Sequence, residues 1–145
     1  MPLSTTETEL PDVNVLVAPL HPDHVHHRAA QHWCVEVSSF ATTPLTESGL
    51  VRVALNPAVV PAANPAAALA SLRSLREHPR AIFLPDDSSL ADPRIDLVGL
   101  RGYRQVPDLH LVNLAARHSA RLVTFDARIS QILDAGDQAL VRTLS

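Results

Sequence analysis

The apolar positions of this chain come in two rhythms. Short unbroken runs alternate with longer stretches in which apolar residues recur every three or four positions. Val13 to Ala18 is a buried strand or a buried helical turn, and so short a run does not separate the two. Val25, Ala29 and Trp33 recur at a spacing of four and predict a helix over 24–37, with Asp23 as its N-cap after Pro22. Phe40 to Thr42 is a short strand. Thr43-Pro44 then reads as an N-cap followed by proline at the first helical position, opening a helix to about Leu55. Pro57 and Pro61 hold the next stretch as a loop, and Asn64-Pro65 repeats the cap-plus-proline signal for a helix that ends at Glu77, before His78-Pro79. Ala81 to Leu84 is a buried strand, and 85–105 is irregular, with room for a short helix near 88–91. A helix runs from Pro107 to about His118, then a strand from Leu122 to Phe125, a helix near 128–134 and a last strand from Ala139 to Thr143.

Strands alternating with helices predict an α/β fold with a mostly parallel sheet. No internal repeat or interdomain linker interrupts the pattern, so 1–7 is expected to be a polar N-terminal tail and 8–145 one domain. The composition agrees: of 145 residues, 46% are hydrophobic and 19% charged, enough for a core and too little charge for a disordered chain. No apolar stretch reaches the roughly 20 residues that span a bilayer. The polar, acidic start has no signal-peptide character, and the single Cys34 excludes an internal disulfide framework or a Cys-rich zinc site. A cytoplasmic protein without membrane association is expected.

All 12 basic residues are arginine. The lack of lysine excludes Schiff-base chemistry, the Walker phosphate loop and aspartate-based phosphotransfer of the receiver or haloacid-dehalogenase kind. A net charge of −3 argues against a broad basic nucleic-acid surface but is compatible with an acidic metal centre, where bound cations reverse the local sign.

In open parallel sheets ligands bind beyond the carboxyl ends of the strands, where strand order reverses. Four acids fall at such places. Asp12 lies beside the first apolar run, Glu47 and Asp108 in the first turns of their helices, and Asp126 directly after the run LVTF. Singly, each has a structural explanation in the helix dipole or in turn chemistry. Together at one sheet edge, four carboxylates repel, and the usual compensation is one or two hard divalent cations.

These residues also carry a resemblance. PDVNVLVA (11–18), PLTESGLVRV (44–53) and VPDLHLVNLAARHSARLVTFDARI (106–129) resemble the PIN domain, and most closely VapC, the ribonuclease toxin of type II toxin–antitoxin pairs. The ordered motifs are D-x-N, T-E-x-G-x-x-R, D-x-H-L-x-x-L-A and T-F-D, and the likeness runs from about 8 to 143. It implies a three-layer α/β/α sandwich with a mostly parallel five-stranded sheet, and a first strand at about 8–11, which makes 13–19 helical. It implies Asp12, Glu47, Asp108 and Asp126 as catalytic metal ligands for Mg2+ or Mn2+, with Asn14 and Thr124 supporting the acids. It further implies an RNA substrate such as tRNA or rRNA, a cognate antitoxin and a homodimer. Two positions depart from the family: Pro107 stands where threonine is common, and Ser119 where glycine is common.

Metal-assisted hydrolysis of a phosphodiester needs positive groups at the phosphate, and Arg101, Arg104 and Arg128 flank Asp108 and Asp126. His21, His24, His26 and His27 suggest zinc, but clustered histidines at a helix start more often face solvent. His110 reads as part of the site rim, and Trp33 and Cys34 as core or dimer packing. The alanine-rich helix 65–77 packs the core or receives a partner helix such as an antitoxin tail. The competing functions are a PIN-fold nuclease acting on another nucleic acid, and a non-catalytic binding module.

Overall fold

The computed structural model describes residues 8–145, so the expected tail at 1–7 lies outside the described residues. The strands are β1 (Glu9–Pro11), β2 (Phe40–Thr42), β3 (Ala81–Phe83), β4 (Arg121–Thr124) and β5 (Val141–Thr143). The helices are α1 (Val13–Val17), α2 (His27–Glu36), α3 (Pro44–Ala54), α4 (Pro65–Glu77), α5 (Val106–Arg117) and α6 (Arg128–Ile132). The sheet order is β3-β2-β1-β4-β5, and every neighbouring pair is parallel, Leu10 standing opposite Leu122 and Thr42 opposite Phe83. The sheet is thus wholly parallel. The chain builds outward from β1 on one side, then crosses to build β4 and β5 on the other, so the strand order reverses between β1 and β4.

Side chains alternate across the central strands, as a pleated strand requires. Leu10 and Leu122 pack with Leu109, Val112 and Leu114 of α5 and Ile129 of α6. Val123 faces the opposite way, against Val15, Trp33, Val37 and Phe40. A third cluster, Leu16, Val17 and Leu50, joins α1 to α3. Gly49 permits this approach: a Cβ there would lie 2.4 Å from Cγ2 of Val13. No helix among the described residues is long and apolar enough to cross a membrane.

At the amino end of β1, the buried Glu9 gathers three donors. Its carboxylate accepts from Trp33 Nε1 at 3.2 Å, Arg142 Nη1 at 2.7 Å and Arg121 Nη2 at 3.1 Å. A carboxylate buried this deeply requires such partners.

The ambiguous run after Asp12 is helical, because the Asp12 side chain caps α1. Helix α2 starts at His27, later than the expected 24, and Asp23 does not cap it. Instead His24 Nδ1 accepts the backbone N–H of His26 at 3.0 Å, which holds 21–26 as turns. The short helix expected near 88–91 is absent. Ser89 there turns its hydroxyl to the Ala91 N–H, and its carbonyl accepts from the buried Asn113 side chain, whose Oδ1 accepts from the Arg94 N–H at 2.7 Å. Asn113 thereby fastens the irregular segment onto α5. The last strand begins at Val141 and not 139, because a 3-10 turn capped by Asp134 occupies Ala135–Leu140. Just past the end of α5, Ser119 adopts a left-handed φ of 53°, so the glycine usual in the family has a conformational reason.

Candidate active site

Asp12 follows the central strand directly. Its N–H donates to the Val123 carbonyl at 2.9 Å, which continues the β1–β4 ladder to the carboxylate. Oδ1 accepts the Val15 N–H at 3.1 Å, and Oδ2 accepts the Thr124 hydroxyl at 2.6 Å. Burial raises the proton affinity of Asp12, against the lowering effect of Thr124 and of the first N–H groups of α1, and the Asp126 charge raises it further. Thr124, fully buried at the end of β4, also accepts the Asp126 N–H at 3.0 Å. One hydroxyl therefore ties together the ends of the two strands at the reversal point.

Asp108 enters from the first turn of α5. Its carboxyl is pushed up to about 6, first by burial and then by the charges of Asp12 and Asp126. Asp126 moves the opposite way. Arg128 Nε and Nη2 each donate to one of its oxygens at 3.0 Å, and that fork holds it below the ordinary carboxylate range. Glu47 stands in the first turn of α3, where its Oε2 accepts the Thr42 hydroxyl at 2.7 Å and lies 3.6 Å from Arg76 Nε. Arg76 also lies over the Phe83 ring, 4.3 Å from its centroid.

Three aspartates thus share one electrostatic field at the reversal point, while Glu47 is engaged by Thr42 and Arg76. Among the described residues, no three Asp, Glu, His or Cys side chains are already drawn into a ligand cage. The donor set is nonetheless the kind a hard divalent cation takes: carboxylate oxygens, one carboxyl having its proton affinity raised by burial and by its neighbours' negative charge. Both oxygens of Asp126 are held by a guanidinium, so a cation there would compete with Arg128.

The PIN domain family matches residues 10–134. The chain belongs to the PIN domain family. Within it the likeness is to VapC proteins. Ribonuclease VapC39 of Mycobacterium tuberculosis is 44% identical over 133 residues, covering 89% of this chain and 96% of that one. Ribonuclease VapC38 of the same organism is 45% identical over 124 residues, covering 81% and 84%. Among solved structures, a chain of VapBC2 from Rickettsia felis, bound to a DNA fragment from its promoter, superposes with a TM-score of 0.61 over 95% of this chain and 99% of that one. At 14% identity, that match shows the fold.

In this PIN domain the other expected residues are placed as follows. Asn14 is exposed on α1, and its backbone N–H helps hold the Asp12 carboxylate. Arg128 is the arginine within electrostatic reach of Asp108. Arg101 donates to the Val98 carbonyl at 2.8 Å, and Arg104 to the Tyr103 hydroxyl at 3.2 Å, so both are engaged within their own loop. His110 pairs with Asp86 at 2.7 Å and fastens the loop after β3 to α5. His27 Nδ1 bonds the Ala18 carbonyl at 2.7 Å, and His24 lies before α2, so the two do not share a helix face. Sequence reasoning passed over Arg76, since nothing in the local pattern of α4 marks it as the neighbour of Glu47.

Proposed function

We propose that this PIN domain is a VapC-type endoribonuclease toxin that hydrolyses RNA phosphodiesters with the help of Mg2+ or Mn2+ and is neutralised by a cognate antitoxin. The observation that carries this reading is the Thr124 hydroxyl, which links Asp12 and Asp126 beside Asp108 at the reversal point of the sheet. Asp12, Asp108 and Asp126 would hold the cation, with Glu47 as a further ligand. A bound divalent cation supplies positive charge at the scissile phosphate and makes water a better nucleophile. Thr124 and the capped turn of α1 donate to the Asp12 carboxylate and orient it. Arg128 exchanges its grip on Asp126 for a phosphate oxygen as RNA arrives. Attack by water forms one P–O bond and breaks the bond to O3′, leaving a 3′-hydroxyl and a 5′-phosphate. Arg101 and Arg104 would meet phosphates further along the strand.

An apolar groove of about 460 Å³ supports the partner reading. Leu20, Trp33, Leu50 and Leu75 line it along α4, a surface suited to an amphipathic antitoxin helix, and a homodimer completes the assembly.

The test is incubation of the purified chain with total RNA, including tRNA and rRNA, in Mg2+, Mn2+ or EDTA, alongside Asp12→Asn and Asp126→Asn. Discrete cuts that require metal and vanish in both variants are expected. Metal binding without RNA cleavage would point to another nucleic acid, and no metal binding at all would favour a binding module.

A further inference from the structure

The turns at 21–26 place aromatic rings beside the catalytic edge. His26 stacks on Phe125 with ring centroids 4.2 Å apart and planes 9° from parallel. His24 stands 5.9 Å from His26 and 6.4 Å from Phe125. Phe125 lies between Thr124 and Asp126 in the chain, so the ladder of rings starts one residue from two groups of the site. Its own ring packs on the cluster of Val15, Trp33, Phe40 and Val123, which anchors the stack to the core.

The histidine rings are held in place. His24 Nδ1 accepts the His26 N–H, which fixes both the ring and its tautomer. Burial, then the neighbouring histidines His26, His21 and His27, lower the proton affinity of His24, which favours a neutral ring. Both rings are only partly buried. His26 also lines a cavity of about 730 Å³ whose walls carry Arg28, His32 and Glu36, with Arg142 held there by Glu9 and Glu36. A stacked ring with Arg28 two residues on, at a nuclease's catalytic edge, has the chemistry of a nucleobase platform, because every base offers a π-face and every linkage a negative charge.

We propose that His26, backed by Phe125, is a substrate-positioning residue on which an unpaired RNA base next to the scissile phosphate stacks, while Arg28 meets the strand beyond it. This rests on the ribonuclease reading above. Because the stack exists before RNA arrives, the base docks on a preorganised surface and the phosphate is set against Asp12, Asp108 and Asp126.

Four variants of the full chain test it: His26→Ala, His26→Leu, His26→Phe and His26→Trp. Loss of the π-face in His26→Ala and His26→Leu raises KM for RNA roughly tenfold with kcat nearly unchanged. His26→Phe restores KM. A merely structural role would follow packing, and His26→Leu would then match His26→Phe in both Tm and KM. In EDTA, where no cleavage occurs, heat-denatured total RNA quenches the added fluorescence of His26→Trp, with the wild type as control for Trp33. Cleavage with unaltered KM in His26→Leu, or with no quenching, overturns the platform. Quenching with no cleavage by the wild type in either metal retains the platform and overturns the ribonuclease reading.

Discussion

Arg128 grips Asp126 through both ends of its guanidinium, with two bonds of 3.0 Å, while Asp108 nearby carries a carboxyl raised to about 6. Two aspartates at one sheet edge therefore differ in proton affinity because one is held by an arginine while the other is more buried and faces two acids. Arg128→Ala removes the competitor for Asp126, so Mn2+ binding tightens in calorimetry. The same variant binds RNA more weakly, and its salt slope falls by about 0.7, the share of one single-strand phosphate. An unaltered slope would remove Arg128 from the phosphate path.

Asp108 sets a pH dependence. Its folded value of about 6 exceeds the ordinary 3.8, so the folded state holds this proton more tightly than the unfolded chain does. The stabilising contribution is complete below about 4 and is lost as pH rises through about 6. Asp108→Asn should therefore raise stability at pH 7 by about 1 kcal/mol, a figure reduced for the solvent screening of a half-exposed carboxyl. Urea unfolding of the metal-free chain with and without Asp108→Asn checks the sign, and a variant no more stable than the wild type at pH 7 would exclude a raised Asp108.

Glu9 lies at the opposite end of the sheet and serves stability. Glu9→Ala removes the acceptor shared by Trp33, Arg121 and Arg142 and should cost about 3 kcal/mol in urea unfolding. RNA cleavage per folded molecule stays unchanged at temperatures where the variant remains native.

Ser119 holds a left-handed backbone that glycine adopts without strain. Ser119→Gly should raise stability by about 0.5–1 kcal/mol, with activity unaltered. A lower Tm would mean that strain at this turn is outweighed by chain entropy.

Much of this was readable from residue order. Thr43-Pro44 and Asn64-Pro65 mark two helix starts that the structure repeats, and of the four acids expected at one edge Asp12, Asp108 and Asp126 interact electrostatically. The run after Asp12 defeated periodicity because five apolar or amide residues satisfy either period, and the deciding bond is the Asp12 cap. The start of α2 was misplaced because the His24 ring, and not Asp23, takes the local N–H. Arg76 at Glu47 and Asn113 under the 85–105 segment were invisible, since their partners are 29 and 19 or more residues away in sequence. Such contacts leave no trace in a local window.

The hydrogen bond between Thr124 and Asp12 joins residues 112 positions apart. Its timing during synthesis follows from that separation. The first aspartate emerges early, but its hydroxyl partner, its second strand neighbour and Asp126 all belong to the last fifth of the chain. A partly made chain therefore carries the acid without the frame that orients it. A truncated product ending before β4 lacks Thr124, Asp126 and the strand that flanks β1, and so the whole frame around the first aspartate.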